Sequence, residues 1–205
     1  MSEDTTPFPT AYFRQFIPER EELLRHIEQD ALRNNIPIVG PVVGEFLYIL
    51  ATAISAEWIL ELGTATGYST IFLGKAAQNS DAKVTTIESD PDLAEKARQN
   101  IEEAGLENHI ELIRGDALEI VAGMKGPYDL IFLDIEKEDY VKVLPDCERL
   151  LRPGGLLLAD NTAFNDADAF NRAISQNPGW RSVQLYSFLP LHSPEHDGLC
   201  IAMRR

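Results

Sequence analysis

From Trp58 onward, short apolar runs alternate with amphipathic stretches. WILELG, AKVTTIES, IELIRGD, YDLIFLD and GLLLAD have strand length and end in turn residues. Helical spacing follows the first at Ser69–Ala77, and the second from Pro91 to about Ala104. Shorter helical stretches follow the third and fourth. Asp90 is placed to cap the helix that Pro91 opens, and Gly105 to end it. Apolar runs joined by helices predict parallel strands buried on both faces. The last part breaks this rhythm. After a helix expected at Asp166–Gln176, RSVQLYSFLPL and GLCIAMRR are joined by HSPEHD alone, which predicts an antiparallel hairpin. Ahead of the alternation, residues 11–34 carry Phe13, Phe16, Ile17, Leu23, Leu24, Ile27, Ala31 and Leu32 near helical spacing. That spacing predicts one helix. Pro37 and Pro41 mark a loop before a second helix at Val43–Ile54, and both helices are expected to cross the sheet as a lid or dimer surface.

The 205 residues suit one domain with one core. Residues 1–56 form its N-terminal helices and 57–205 its sheet. A mostly parallel sheet of about seven strands, finished by one reversed strand, resembles the class I S-adenosylmethionine-dependent methyltransferase fold, an α/β, Rossmann-like arrangement. Composition changes little in this picture. Hydrophobic residues at 44% and charged residues at 25% are ordinary for a globular chain. No apolar run approaches the ~20 residues of a membrane helix. MSEDTTPFPT has no basic-then-apolar signal, so a cytoplasmic protein without a membrane partner is expected. Cys147 and Cys200 lie far apart and are expected to be buried thiols. A net charge of −15 argues against a broad nucleic-acid surface.

Chemistry concentrates where strands end. The first strand runs into Glu61-Leu62-Gly63-Thr64-Ala65-Thr66-Gly67-Tyr68-Ser69-Thr70. Glycines between a strand and a helix let a ligand approach the backbone, and ligands bind beyond the carboxyl ends of parallel strands. Glu88, ending the second strand, can accept hydrogen bonds from both hydroxyls of a ribose. A dinucleotide fingerprint fails here, because Ala65 stands where the middle glycine would admit a pyrophosphate. Glu61 would repel phosphate and attract an ammonium group. S-adenosylmethionine has a ribose, an amino group and no phosphate, so it fits better than a nicotinamide cofactor. A turn without any ligand explains the glycines but not the pairing of Glu61 with Glu88. Asp116 and Ala117 end the third strand, near where adenine would lie, although Gly-Asp is also a common turn and cap.

Asp134 ends the fourth strand, and Asp160 with Asn161 ends the fifth. Three oxygen side chains at one sheet edge suit a hard cation such as Mg²⁺. No sulfur or paired histidine is evident there, which disfavours zinc. Lys137 follows Asp134 by one turn. Near a cation its charged form is disfavoured, which would equip it as a general base. The alternative is a surface lysine paired with Glu136, Glu138 or Asp139. Phe164, just after the metal pair, is expected to touch the acceptor. Trp58 is expected in the core and Trp180 at the sheet's edge. His26 and His109 read as surface residues, and His192 and His196, beside Asp197, as solvated loop residues.

ELGTATGYST, DIEK and ADN, in this order and at these separations, resemble the cation-dependent O-methyltransferases, which include catechol and caffeoyl-coenzyme A methyltransferases. The resemblance runs from about Pro37 to Arg205. It implies a metal held by Asp134, Asp160 and Asn161, with Lys137 as base and Asp134 in the catalytic centre. It also implies a cofactor site at Val39, Glu61, Gly63, Ser69, Glu88, Ala117 and Asp134, to which Gly67, Tyr68 and Asp116 belong by position. The implied reaction is in-line methyl transfer to a hydroxyl of a small catechol-like acceptor, in a homodimer. Two departures stand out. Ile135 replaces the usual alanine after the first metal aspartate, and Thr162-Ala163-Phe164-Asn165 leads almost at once into a helix, which opens the acceptor pocket. The alternatives are a methyltransferase for hydroxylated uridine in transfer RNA and a non-catalytic nucleotide-binding or interaction module.

Overall fold

A computed structural model describes Thr6 and residues 8–205, so most of the acidic start lies outside the described residues. Three helices come first: α1 (Pro9–Phe13), α2 (Glu22–Asn34) and α3 (Gly40–Ala53). The alternation follows as β1 (Trp58–Leu62), α4 (Tyr68–Gln78), β2 (Lys83–Glu88), α5 (Pro91–Glu103), β3 (Ile110–Arg114), α6 (Ala117–Gly123) and β4 (Tyr128–Leu133). It ends with α7 (Tyr140–Leu150), β5 (Leu151–Ala159), α8 (Asp168–Gln176), β6 (Trp180–Phe188) and β7 (His196–Arg204). The strands make one sheet in the order β3-β2-β1-β4-β5-β7-β6. β1 to β5 pair in parallel, and β7 runs antiparallel to both its neighbours. β7 is thus the single reversed strand that the sequence predicts.

Neighbouring residues of β1 show why the sheet is apolar on both sides. Ile59 and Leu60 point to opposite faces, and both are fully buried. Ile59 joins Leu47 of α3, Leu73 of α4 and Ile101 of α5. Leu60 joins Val121, Val143 and Phe170 of α6, α7 and α8. Each side chain buried this way contributes roughly 1.5–3 kcal/mol. Asp90 caps α5 as expected, accepting from the amides of Asp92 and Leu93 at 2.8 and 3.0 Å. Cys147 and Cys200 are buried free thiols. No helix among the described residues is long and apolar enough to cross a membrane.

The single helix expected over residues 11–34 is broken. Pro18 has no N–H and drives the residue before it out of helical geometry, and Ile17 is extended at ψ 126°. Phe13 and Phe16 remain 55% and 61% exposed, while Leu24, Ile27 and Ala31 of α2 are buried. α3 begins at Gly40, earlier than Val43, because Pro41 suits a first helical turn. Trp58, expected in the core, is 51% exposed at the entry of β1. Trp180 is buried within the edge strand β6.

Strand register prepares the site. Leu62 pairs with Ile87 and Leu133, and Leu133 with Ala159. One step further along each strand stand Gly63, Glu88, Asp134 and Asp160, side by side at the carboxyl edge.

Candidate active site

Gly63 has φ 98°, and a Cβ there would lie 1.9 Å from the Asp134 carbonyl oxygen. No other residue fits this crossing of β1 and β4. A cavity of about 290 Å³ opens at the edge, and its wall includes Gly63, Glu88, Asp116, Ala117, Asp134, Lys137, Asp160 and Asn161. Residues far apart in sequence thus share one hollow. Glu88 Oε2 accepts the Ala65 N–H at 2.7 Å, and Oε1 accepts the Asp90 N–H at 2.9 Å. Each oxygen keeps a lone pair for a ligand. Asp116 accepts the Glu119 N–H at 3.0 Å, so it caps α6 while lining the cavity.

Other residues assigned to the cofactor site from sequence stand behind or beside the wall. Glu61 is fully buried. Its Oε2 accepts from the hydroxyls of Thr70 and Thr86 at 2.5 and 2.7 Å, and its Oε1 has no partner. Burial pushes its carboxyl up to about 7; the hydroxyls of Thr70, Ser69 and Thr86 resist this, and the charge of Asp134 adds to it. Ser69 therefore serves Glu61 from behind. Tyr68 turns away altogether, donating its hydroxyl to Glu28 Oε1 at 2.6 Å. Gly67 shapes the turn at φ 85°, and Val39 is buried outside the cavity wall.

At the acidic end, Lys137 Nζ donates to Asp134 Oδ1 at 3.1 Å and to the Ile135 carbonyl at 3.0 Å. It lies 5.9 Å from the centre of the Tyr140 ring. The surface pairing with Glu136, Glu138 or Asp139 does not form, and Asp139 pairs with Lys142 instead. Burial raises the Asp134 carboxyl above its ordinary range, and the neighbouring charge of Asp160 adds to this. Tyr140 donates its hydroxyl to the Asp160 carbonyl at 3.1 Å.

Two site residues escaped the sequence reading. His192, expected in solvent, is buried, with its side chain 1% exposed. Its Nε2 lies 2.8 and 3.0 Å from Oδ2 and Oδ1 of Asp160, and its Nδ1 lies 2.6 Å from the Pro194 carbonyl oxygen. Burial lowers its pKa, but the hydrogen bond and charge of Asp160 outweigh that and hold the ring above the ordinary histidine value. Asp197 is also buried and accepts from Asn161 Nδ2 at 2.6 Å. His192 comes from the β6–β7 turn and Asp197 from the start of β7, and only the folded hairpin brings His192 into the cavity wall and Asp197 against Asn161. His196 is exposed, as expected. Phe164 is 43% exposed and lies outside the cavity wall, because the chain turns into a 3₁₀ segment at Asn165–Ala167.

Among the described residues, no three His, Cys, Asp or Glu side chains are gathered into a ready metal cage. The donor chemistry nevertheless fits a cation. The charge of Asp160 disfavours the ionised form of Asp134, which a cation beside them would relieve. Asp197 holds the Asn161 amide nitrogen, leaving its oxygen as the free donor. A second cavity of about 620 Å³ shares Ile36, Pro37, Ile38, His192 and Ser193 with the first and extends towards α2.

The O-methyltransferase family model matches residues 17–177. A catechol O-methyltransferase of Niastella koreensis is 40% identical over 183 residues, covering 80% of this chain and 81% of that protein. Catechol O-methyltransferase B of Danio rerio is 33% identical over 169 residues, covering 78% and 63%. The structure of an O-methyltransferase from Bacillus cereus in complex with SAH (S-adenosylhomocysteine) aligns at a TM-score of 0.84 and 27% identity, covering 96% of this chain and 97% of that one. Sequence and overall fold agree, and this chain belongs to the O-methyltransferase family.

Proposed function

We propose that this O-methyltransferase takes its methyl group from S-adenosylmethionine and, with a divalent cation, transfers it to one hydroxyl of a small catechol-like acceptor. The observation that carries this reading is that Glu88 and the set Asp134, Asp160 and Asn161 line one cavity. Glu88 would accept from ribose hydroxyls, and Glu61 would place negative charge beneath the loop for the cofactor's ammonium. Asp134, Asp160 and Asn161 would hold the cation. When bound, the cation would orient the acceptor's neighbouring oxygens and lower the pKa of the reacting hydroxyl. Lys137 would take that hydroxyl's proton at Nζ, where Asp134 and the Ile135 carbonyl now position it. Holding both reactants in one small cavity supplies proximity. The acceptor's remaining bulk would enter the second cavity, past Leu191 and the ion pair of Arg20 with Glu28. The two relatives named catechol O-methyltransferases support this acceptor class. We also propose a homodimer, in which a second copy covers the exposed Phe8, Phe13, Phe16 and Ile49.

The test is a panel of catechols with labelled S-adenosylmethionine, run with Mg²⁺ and in EDTA. Methylation that requires metal, and collapses in Asp160→Ala, is expected. Full turnover in EDTA would remove the cation from the reaction. Binding of SAH without turnover of any catechol would favour a non-catalytic module. Label entering RNA from a strain that lacks the enzyme would favour the transfer-RNA reading, against which the net charge of −15 weighs.

A further inference from the structure

We infer that the second cavity is a subsite for an extended, uncharged, apolar substituent of the acceptor, and that Leu191 is its specificity-determining residue. This rests on the catechol reading and narrows it. The preferred acceptor is a catechol with an apolar tail, rather than catechol itself or a coenzyme A thioester.

Size and charge point the same way. The first cavity, of about 290 Å³, would take the cofactor and the reacting ring. The second, of about 620 Å³, is more than twice as large, and falls within the roughly 300–1,000 Å³ of sites that bury small ligands. Ile36, Pro37, Ile38, His192 and Ser193 line both, so the two meet along this edge. A bare catechol would leave the larger one to water. Its charged side chains are already paired. Arg20 donates to both oxygens of Glu28 at 2.9 and 3.2 Å, and to the Pro18 carbonyl at 3.1 Å. Glu195 accepts from Arg14 at 2.8 and 2.6 Å, and His192 is held by Asp160 at 2.8 Å. Phosphates are recognised by Arg and Lys. Among the described residues no unpaired Arg or Lys lines this wall, so the phosphates of a coenzyme A tail find no partner.

Leu191 is singled out by its backbone. Its φ of 67° lies in the left-handed region, which leucine rarely adopts. Strain of this kind persists only where the surroundings hold it, and it gathers at ligand sites. Here Glu195 Oε1 accepts the Leu191 N–H at 2.9 Å. From the other side Gly40 packs so closely that a Cβ on it would lie 2.8 Å from the Leu191 carbonyl. The turn is thus held from two sides, and Leu191, 38% exposed, stands at the cavity wall. Leu32 of α2 lines the same cavity and is 82% exposed. An apolar tail seated here would take both side chains out of water.

The test measures methylation, with S-adenosylmethionine and Mg²⁺, of catechol, of catechols carrying a methyl, hexyl or phenyl group para to one hydroxyl, and of caffeoyl-coenzyme A. Wild type, Leu191→Asn and Leu32→Ser are compared. Asparagine is close to leucine in shape and enters the left-handed region readily, so Leu191→Asn changes polarity and keeps the turn. Leu32 is exposed, so Leu32→Ser disturbs no core. Wild type should favour the hexyl and phenyl catechols over catechol on the order of 10–100-fold in kcat/KM, chiefly through KM. It should also methylate mainly one of their two hydroxyls, because a seated tail orients the ring. Leu191→Asn should lose about tenfold of that preference and mix the two products, and Leu32→Ser should lose less. Calorimetry with SAH checks that each variant is folded. Equal kcat/KM for bare and tailed catechols, or caffeoyl-coenzyme A as the best acceptor, overturns the subsite and leaves the catechol reading intact. Wild type that methylates none of them overturns both. A tail preference untouched by either substitution overturns the role of Leu191, and a change in mass by light scattering in its place makes this face a contact between copies. The wild-type panel decides on the subsite even where Leu191→Asn does not fold.

Discussion

Lys137 Nζ lies 3.1 Å from Asp134 Oδ1, and the two residues bracket the turn that leaves β4. The carboxylate fixes the amine at the cavity wall without making it a ligand, since an ammonium group has no lone pair to offer a cation. Base and metal site should therefore separate by mutation. Lys137→Ala should lower turnover of a catechol by ~10²–10⁴-fold and leave metal affinity intact. Raising the pH should return part of the rate, because hydroxide can then remove the proton. Steady-state assays across pH check this, and near-normal turnover at neutral pH would make Lys137 a bystander.

Glu88 has a double duty that sets the size of its mutational effect. Its two oxygens already hold the Ala65 and Asp90 N–H groups, so truncation removes both a ligand contact and a brace for the loop. Glu88→Ala should weaken SAH binding by roughly 1.5–3 kcal/mol, the range for hydrogen bonds to a charged group. Equal calorimetric affinity for wild type and Glu88→Ala would take this residue out of the site.

The strand ends were legible in the sequence because parallel strands bury apolar runs whose last residue falls at one edge. Gly63, Glu88, Asp116, Asp134, Asp160 and Asn161 could be placed that way, and all six line one cavity. Residues that reach the edge by other routes were not legible. His192 arrives through the β6–β7 turn and Asp197 through the first residues of β7, and nothing in HSPEHD distinguishes a buried imidazole from a solvated one. Tyr68 sits in the glycine-rich motif, but its ring points to α2, where Glu28 takes its hydroxyl. Phe13 and Phe16 had helical spacing with α2, but spacing ignores the break that Pro18 makes. Trp58 opens a core strand, yet the first residue of a strand need not share its burial.

The apolar side chains left by that break have a consequence for assembly. The rings of Phe13 and Phe16 lie 6.4 Å apart with more than half their surface exposed, Phe16 shares a hollow with the similarly exposed Ile49 of α3, and Phe8 is exposed as well. Contiguous apolar surface of this kind is commonly covered by a partner. Light scattering at micromolar concentration should give twice the mass of the chain. Phe13→Ser with Phe16→Ser should shift it toward monomer, and a wild-type monomer mass would refute the dimer.

Glu61 offers a test that needs no acceptor. Burial lifts its carboxyl from 4.5 to about 7, so its ionised form costs on the order of 3 kcal/mol in the empty folded chain. With the folded pKa above the unfolded one, the protein has its full stability from this group below about pH 4.5. That stability drains away as pH rises towards 7. Glu61→Gln cannot ionise and should escape the loss. The ligand-free mutant should therefore melt close to wild type at pH 5 and clearly above it at pH 8. The ammonium of SAH reverses the balance, because it favours the ionised form of wild type. Wild-type affinity for SAH should rise as pH passes 7, and Glu61→Gln should bind more weakly with a flat response over that interval. Melting curves and calorimetry at pH 5, 6, 7 and 8 measure both effects. A melting difference that stays constant across this range would show that Glu61 does not titrate there. Unchanged SAH affinity in Glu61→Gln at pH 8 would show that its charge does not reach the cofactor.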